Sequence, residues 1–251
     1  MTHESLNTLR ELRLYGMATA FEDQVNQPNT YDELSFFERL AFLLQQELTF
    51  RDHKRLNRLL RQAKFKINAH LSEIEVGQSR GILKQNLASI TTLDWFHKHR
   101  NIIVTGPTGS GKTYLACAIG RHLCQSGFTV RYYRASRLLD ATTAAHADGT
   151  YLKFIASLEK VELLIIDDWG LEPLTTAHRH DLLELLEDRH HRKSTLILSQ
   201  IPVAQWHEYI SDATLADAIL DRVIHNAFQL KLKGDSMRKL KTGLAEGEHL
   251  G

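Results

Sequence analysis

The run Gly106-Pro107-Thr108-Gly109-Ser110-Gly111-Lys112-Thr113 matches the phosphate-binding pattern GxxxxGK[ST] in full, and it constrains the fold of this chain more than any other segment. Such a loop needs a strand before it and a helix after it. Its glycines let backbone N–H groups close around phosphate oxygens at the positive end of the helix. Both flanks fit: Ile102-Ile103-Val104 is an apolar, β-branched run, and Leu115, Ile119 and Leu123 have helical spacing. The segment is therefore expected to bind a nucleoside triphosphate. Lys112 supplies a mobile cation to the phosphates and Thr113 a hydroxyl ligand for Mg²⁺.

A second box lies about fifty residues downstream, within the range for P-loop proteins. Leu163-Leu164-Ile165-Ile166-Asp167-Asp168 reads as a buried parallel strand ending in two carboxylates, at the sheet edge where open α/β folds place their chemistry. Asp167 is expected to hold the hydrated Mg²⁺ and Asp168 to orient or deprotonate the attacking water.

With 251 residues and 43% hydrophobic content, the chain can bury one full core and one smaller appendage. The formal net charge of +1 carries no global basic signal, so any nucleic-acid contact must come from local patches. Cys117 and Cys124 fall on one expected helix with Cα atoms about 10 Å apart, too far for a disulfide, and read as reduced core thiols of a cytoplasmic protein. No signal-peptide pattern opens the chain and no apolar run is long enough to span a bilayer. The closest histidine pairs lack the spacing or cysteine partners of a zinc site.

Residues 1–70 read as a small all-helical domain. Leu6 to Phe21 gives a first amphipathic helix, Phe36 to Leu48 a second after a turn at Pro28-Asn29, and Arg51 to Lys66 a third. The third carries Arg51, Lys54, Arg55, Arg58 and Arg61 on a basic face, which fits either a solvated helix surface or contact with DNA phosphates or an acidic partner. A connector follows and ends in Leu93-Asp94-Trp95-Phe96, expected to be a short helix beside the nucleotide site. Strands near 102–105, 129–133, 163–166, 195–198 and 228–232 alternate with helices, which is the pattern of a five-stranded parallel α/β core. The domains are thus expected at 1–70, 71–238 and, as a flexible tail, 239–251.

Taken with Asp167-Asp168-Trp169-Gly170, the segments Leu198-Ser199-Gln200-Ile201-Pro202, Asp221-Arg222-Val223-Ile224-His225-Asn226-Ala227 and Gly234-Asp235-Ser236-Met237-Arg238 resemble an AAA+ ATPase. The likeness is nearest to the IstB-type ATP-binding proteins of insertion sequences, which are related to the helicase loader DnaC and the initiator DnaA. It covers nearly the whole chain, including Leu9 to Ala18 and Glu47 to Phe65. The resemblance implies ATP with Mg²⁺ as ligands, ATP hydrolysis, homo-oligomers with shared ATP sites, binding to the DNA backbone, and a transposase as partner. It makes Gln200 the sensor of the γ-phosphate or lytic water, Arg222 a finger reaching a neighbouring subunit, and Arg238 a second sensor, with the AAA+ lid truncated or absent. An inserted helical segment within 135–158 resembles the part of DnaA-like proteins that helps line a DNA channel. Arg131 and Arg134 just before it, Arg137 and Lys153 within it, and Arg55 and Arg58 are the candidate DNA contacts. A DnaC-like helicase loader is the alternative reading, and a small-molecule P-loop kinase would have no use for an arginine acting between subunits.

Overall fold

A computed structural model describes residues 2–234, so Arg238 and the tail from 239 lie outside the described residues. The chain divides into two compact units, Met1–Arg58 and Leu59–Gly251.

The first unit is helical: α1 (Thr2–Glu11), α2 (Tyr15–Asn26), α3 (Pro28–Tyr31) and α4 (Phe36–Ala63), the last extending past the boundary. The first helix expected from the spacing is in fact two. Arg13 adopts a left-handed backbone (φ 61°), and the N–H groups of Arg13 and Leu14 turn back onto the carbonyls of Arg10 and Leu9, ending α1 before α2 starts. The expected second and third helices are in fact one, because no breaker separates Leu48 from Arg51. Its start is set by a capping box in which the Ser35 hydroxyl accepts from Glu38 N while the Glu38 carboxylate accepts from Ser35 N.

The N-terminus of α2 has no cap of its own and takes one from α4. Glu47 Oε2 accepts from Gly16 N (2.8 Å) and Met17 N (3.1 Å), while Oε1 accepts from Arg51 (2.7 Å). Gly16 permits this approach: a Cβ there would lie 2.6 Å from the Gln46 carbonyl and 2.8 Å from Glu47 Cα. Burial pushes the Glu47 carboxyl up, but Arg51 and the two backbone N–H groups outweigh it and leave the group below its ordinary value.

The second unit continues through α5 (Lys84–Thr91), α6 (Asp94–His97), β1 (Asn101–Thr105), α7 (Lys112–Gln125), β2 (Val130–Arg134), α8 (Ala135–Ala147), α9 (Tyr151–Glu159) and β3 (Leu163–Trp169). It then adds α10 (Thr176–Arg189), β4 (Ser194–Ser199), α11 (Trp206–Ile210), α12 (Ala213–Ile224) and β5 (Ala227–Lys231). The five strands pair in the order β2-β3-β4-β1-β5, all parallel. The sheet and its strand positions match the expected α/β core. β1, β3 and β4 are buried on both faces, as their unbroken apolar runs require, whereas the edge strand β2 alternates buried Val130 and Tyr132 with partly exposed Arg131 and Tyr133.

On one face α7 packs against β3 and β4. On the other, Leu138, Leu158, Leu182, Trp206 and Ile219 from α8 to α12 bury Ile103, Leu164, Ile166 and Ile197. Cys117 and Cys124 are buried and unpaired on α7, and burial pushes both thiols up, Cys124 to about 12. Arg189 is buried without a carboxylate: it donates to the carbonyls of Leu158, Val161 and Ser194 and to the Thr195 hydroxyl, tying the end of α9 to the start of β4.

Glu47→Ala is expected to cost about 2 kcal/mol at pH 7, because two helix-terminal N–H groups and a guanidinium lose their buried acceptor. A carboxyl with a lowered folded pKa contributes stability above its unfolded pKa and loses it as pH falls through the folded one. Urea unfolding of the full chain should therefore show the gap between wild type and variant narrowing below about pH 4.

Candidate nucleotide-binding site

The loop from Gly106 to Gly111 joins β1 to α7, and Gly111 caps the helix at φ 95°, a conformation that an L side chain rarely adopts. Lys112 begins the helix and folds back over the loop, donating to the carbonyls of Gly106 (2.6 Å) and Pro107 (2.9 Å). The third hydrogen of its ammonium is not used by these two bonds. Burial pushes the Lys112 pKa down, and the carboxylates of Asp167 and Asp168 offset part of that shift.

Strand order brings the acidic box to this loop. Asp167 is buried, and its Oδ2 accepts from Thr113 Oγ1 (2.8 Å) and from the Tyr132 phenol (2.7 Å), while Oδ1 accepts from Asp168 N (2.7 Å). Asp168 is a left-handed residue (φ 62°) whose carboxylate lies 3.6 Å from Arg134 Nε. β4 ends between the two boxes. The Ser199 hydroxyl donates to the Trp169 carbonyl (2.8 Å), the Ser199 carbonyl accepts from Gly106 N (3.2 Å), and Gln200 accepts from the Thr108 hydroxyl (2.6 Å).

These groups line a cavity of about 360 Å³, which falls in the size range of small-molecule sites. Its polar wall runs from Thr108 to Thr113 and takes in Asp167, Asp168 and Gln200, whereas Ile67, Ile74 and Ile82 supply apolar surface. The arrangement suits a ligand with a charged phosphate chain and a flat apolar ring. Thr113 and Asp167 together offer the hard oxygen donors that Mg²⁺ prefers. The buried Ser110 hydroxyl has no partner among the described residues, which fits a loop built around an anion.

The apolar wall was not legible in the sequence. The Trp95 and Phe96 pair, expected there, is buried in α6 instead, with Trp95 donating to the Ile90 carbonyl and Phe96 packed edge-on against Phe128. The segment that does line the cavity is held by Tyr114, which donates to Glu73 and accepts from His70 N (3.4 Å). Tyr132 carries no sequence signal of its own beyond its place as an aromatic on the edge strand.

The remaining candidates among the described residues do not line this cavity. Arg222, on α12, pairs with Glu187 of α10 and with Asp221 (3.6 Å). Among the candidate DNA contacts, Arg131 donates to the Gln62 carbonyl (2.5 Å), Arg134 pairs with Asp168, and Arg137 lies 3.6 Å from Asp140. Lys153 on α9 and Arg55 and Arg58 on α4 are exposed.

Residues 7–245 match the family model described as IstB-like ATP binding protein. The chain is 45% identical over 241 residues to an insertion sequence ATP-binding protein of Sinorhizobium fredii, covering 96% of this chain and 97% of that one. It is 31% identical over 236 residues to an ATP-binding protein in an insertion sequence of Mycobacterium tuberculosis, covering 94% of each. Among solved structures, the DnaC helicase loader superposes with a TM-score of 0.56 at 20% identity, over 68% of this chain and all of that one (100%). AMPPCP-bound DnaA from Aquifex aeolicus gives 0.57 at 19%, over 73% and 56% of the two chains. At such identities the likeness is one of fold.

Lys112→Ala is expected to lower ATP affinity at least about tenfold, since the cation that reaches the phosphates is removed from the loop. Equilibrium binding of a fluorescent ATP analogue measures it, and unchanged affinity would remove the phosphate-loop assignment.

Proposed function

Since the chain belongs to the IstB-like ATP binding protein family, we propose that it is an ATP-hydrolysing helper of DNA transposition. The Thr113–Asp167 pair, 2.8 Å apart across the cavity wall, carries the hydrolytic part of this reading. The relatives named above are ATP-binding proteins of insertion sequences, which favours a transposase over a replicative helicase as the partner.

In this reading the loop N–H groups and Lys112 hold the phosphates, and Thr113 and Asp167 hold Mg²⁺. The ion, when bound, neutralises charge on the β- and γ-phosphate oxygens. Asp168 orients the attacking water and takes its proton, and Gln200 contacts the γ-phosphate or that water. Arg222 leaves Glu187 to reach the ATP of a neighbouring copy and neutralise charge on the transferred group. The part played by Arg238 is that of a second sensor.

ATP-bound copies assemble on DNA through backbone contacts. The candidate cations are Arg131, Arg134, Arg137, Lys153, Arg55 and Arg58, all of them exposed except the half-buried Arg131. The helical unit within the expected 1–70 domain, Met1–Arg58, binds the partner, and the exposure of Phe36, Phe37, Leu44 and Leu48 there supports a docking role.

Arg222→Ala and Asp168→Asn are each expected to lower turnover about a hundredfold or more with ATP binding retained. Mixing the two proteins should recover part of the activity, because some interfaces then hold an intact site and an intact finger. No recovery at any ratio would place Arg222 in its own subunit's chemistry or outside it. In the test of the whole reading, the full chain with ATP and DNA is expected to retain the cognate transposase and stimulate strand transfer, with DNA binding that weakens steeply with salt. Retention of a replicative helicase, without any effect on strand transfer, would overturn it in favour of a helicase loader.

A further inference from the structure

We propose that Tyr132 is a positioning residue of the metal site: its phenol fixes the carboxylate of Asp167 in the orientation that receives hydrated Mg²⁺. The inference rests on the ATP·Mg²⁺ reading above and deepens it.

Tyr132 lies on β2, the edge strand beside β3, in a register that pairs it with Ile165 and pairs Arg134 with Asp167. Residues two apart on a strand share a face, so Tyr132 and Asp167 lie on the same side of the sheet. The tyrosine ring is buried and its hydroxyl donates to Asp167 Oδ2 at 2.7 Å. It does not line the nucleotide cavity, so it acts through Asp167 alone.

A carboxylate offers about four acceptor positions. At Asp167 three are taken: Oδ2 by Thr113 and Tyr132, and Oδ1 by the amide of Asp168. The donors come from three different elements, α7, β2 and β3, and one acceptor position on Oδ1 would remain for a metal-bound water. Thr113 belongs to the phosphate loop and is itself a candidate metal ligand, so its hold on Asp167 changes when the site is loaded. The Asp168 amide fixes only the other oxygen. Among the described residues Tyr132 is the one side-chain donor to Asp167 that lies outside the metal and phosphate groups, and it keeps the carboxylate plane from turning as they arrive. Partners of this kind, which orient a ligand without touching the metal, commonly account for about 10- to 100-fold in metal affinity.

Tyr132→Phe keeps the ring and removes only the hydroxyl. The midpoint of Mg²⁺ in the binding of a non-hydrolysable fluorescent ATP analogue is expected to rise about tenfold, with binding in the absence of metal unchanged. Mn²⁺ binding to the protein–nucleotide complex, followed by electron paramagnetic resonance, should weaken in parallel, while the melting temperature without metal stays within a few degrees. Added to Asp167→Asn, the same substitution should shift the midpoint by less than about twofold, because the group it acts through has already been altered. An unchanged metal midpoint, or an equal loss of analogue binding with and without metal, would reduce Tyr132 to a packing residue and overturn the proposal. If the wild-type chain binds the analogue with no dependence on metal, the ATP·Mg²⁺ reading itself fails and this inference falls with it.

Discussion

The insertion of β4 between β1 and β3 is the constraint on which the nucleotide cavity depends. Parallel strands release their chains at one edge of the sheet, so the order β2-β3-β4-β1-β5 brings the phosphate loop, the acidic box and the end of β4 together although they are far apart in sequence. Ser199 fastens the three. It accepts from Gly106 at the start of the loop, donates to Trp169 just past the acidic box, and accepts from its own chain at Ile201 N (3.2 Å). A displacement at any one of the three ends is therefore felt at the other two.

Charge is buried at this edge by pairing and elsewhere by backbone. Lys112 loses hydration but faces two carboxylates, and Asp167 is surrounded by donors. Arg189 has no carboxylate and relies on three carbonyls and a hydroxyl, and burial pushes its pKa down to about 9. The first arrangement leaves groups that can exchange partners when a ligand arrives. The second is a fixed joint between α9 and β4.

The strands could be read from sequence almost to the residue because central parallel strands are apolar on both faces, leaving Ile102 to Val104 or Leu196 to Leu198 little other meaning. β3 runs on to Trp169 through two aspartates, where a register shift opposite Ser199 lets the ladder continue past residues that look like its end. The break at Arg13 was hidden because neither glycine nor proline marks it. The phosphate loop and both aspartates stood out by local pattern, but the wall of Ile67, Ile74 and Ile82 did not, since three separate apolar residues in an aperiodic stretch acquire a common purpose only in three dimensions. Basic residues are ambiguous for a related reason. A surface arginine and one committed to a carbonyl or carboxylate elsewhere in the chain look alike in sequence, and Arg131, Arg134 and Arg222 are of the second kind.

The burial of Cys117 and Cys124 has a practical side. Thiol reagents attack the thiolate, and these two sulfurs are both shielded from reagent and held protonated well above neutral pH. Since the whole chain contains only 2 cysteines, both buried, it is expected to react with maleimide dyes much as a cysteine-free protein would. One exposed replacement such as Glu33→Cys then gives a unique attachment point for a fluorophore, with both native sulfurs left in the core.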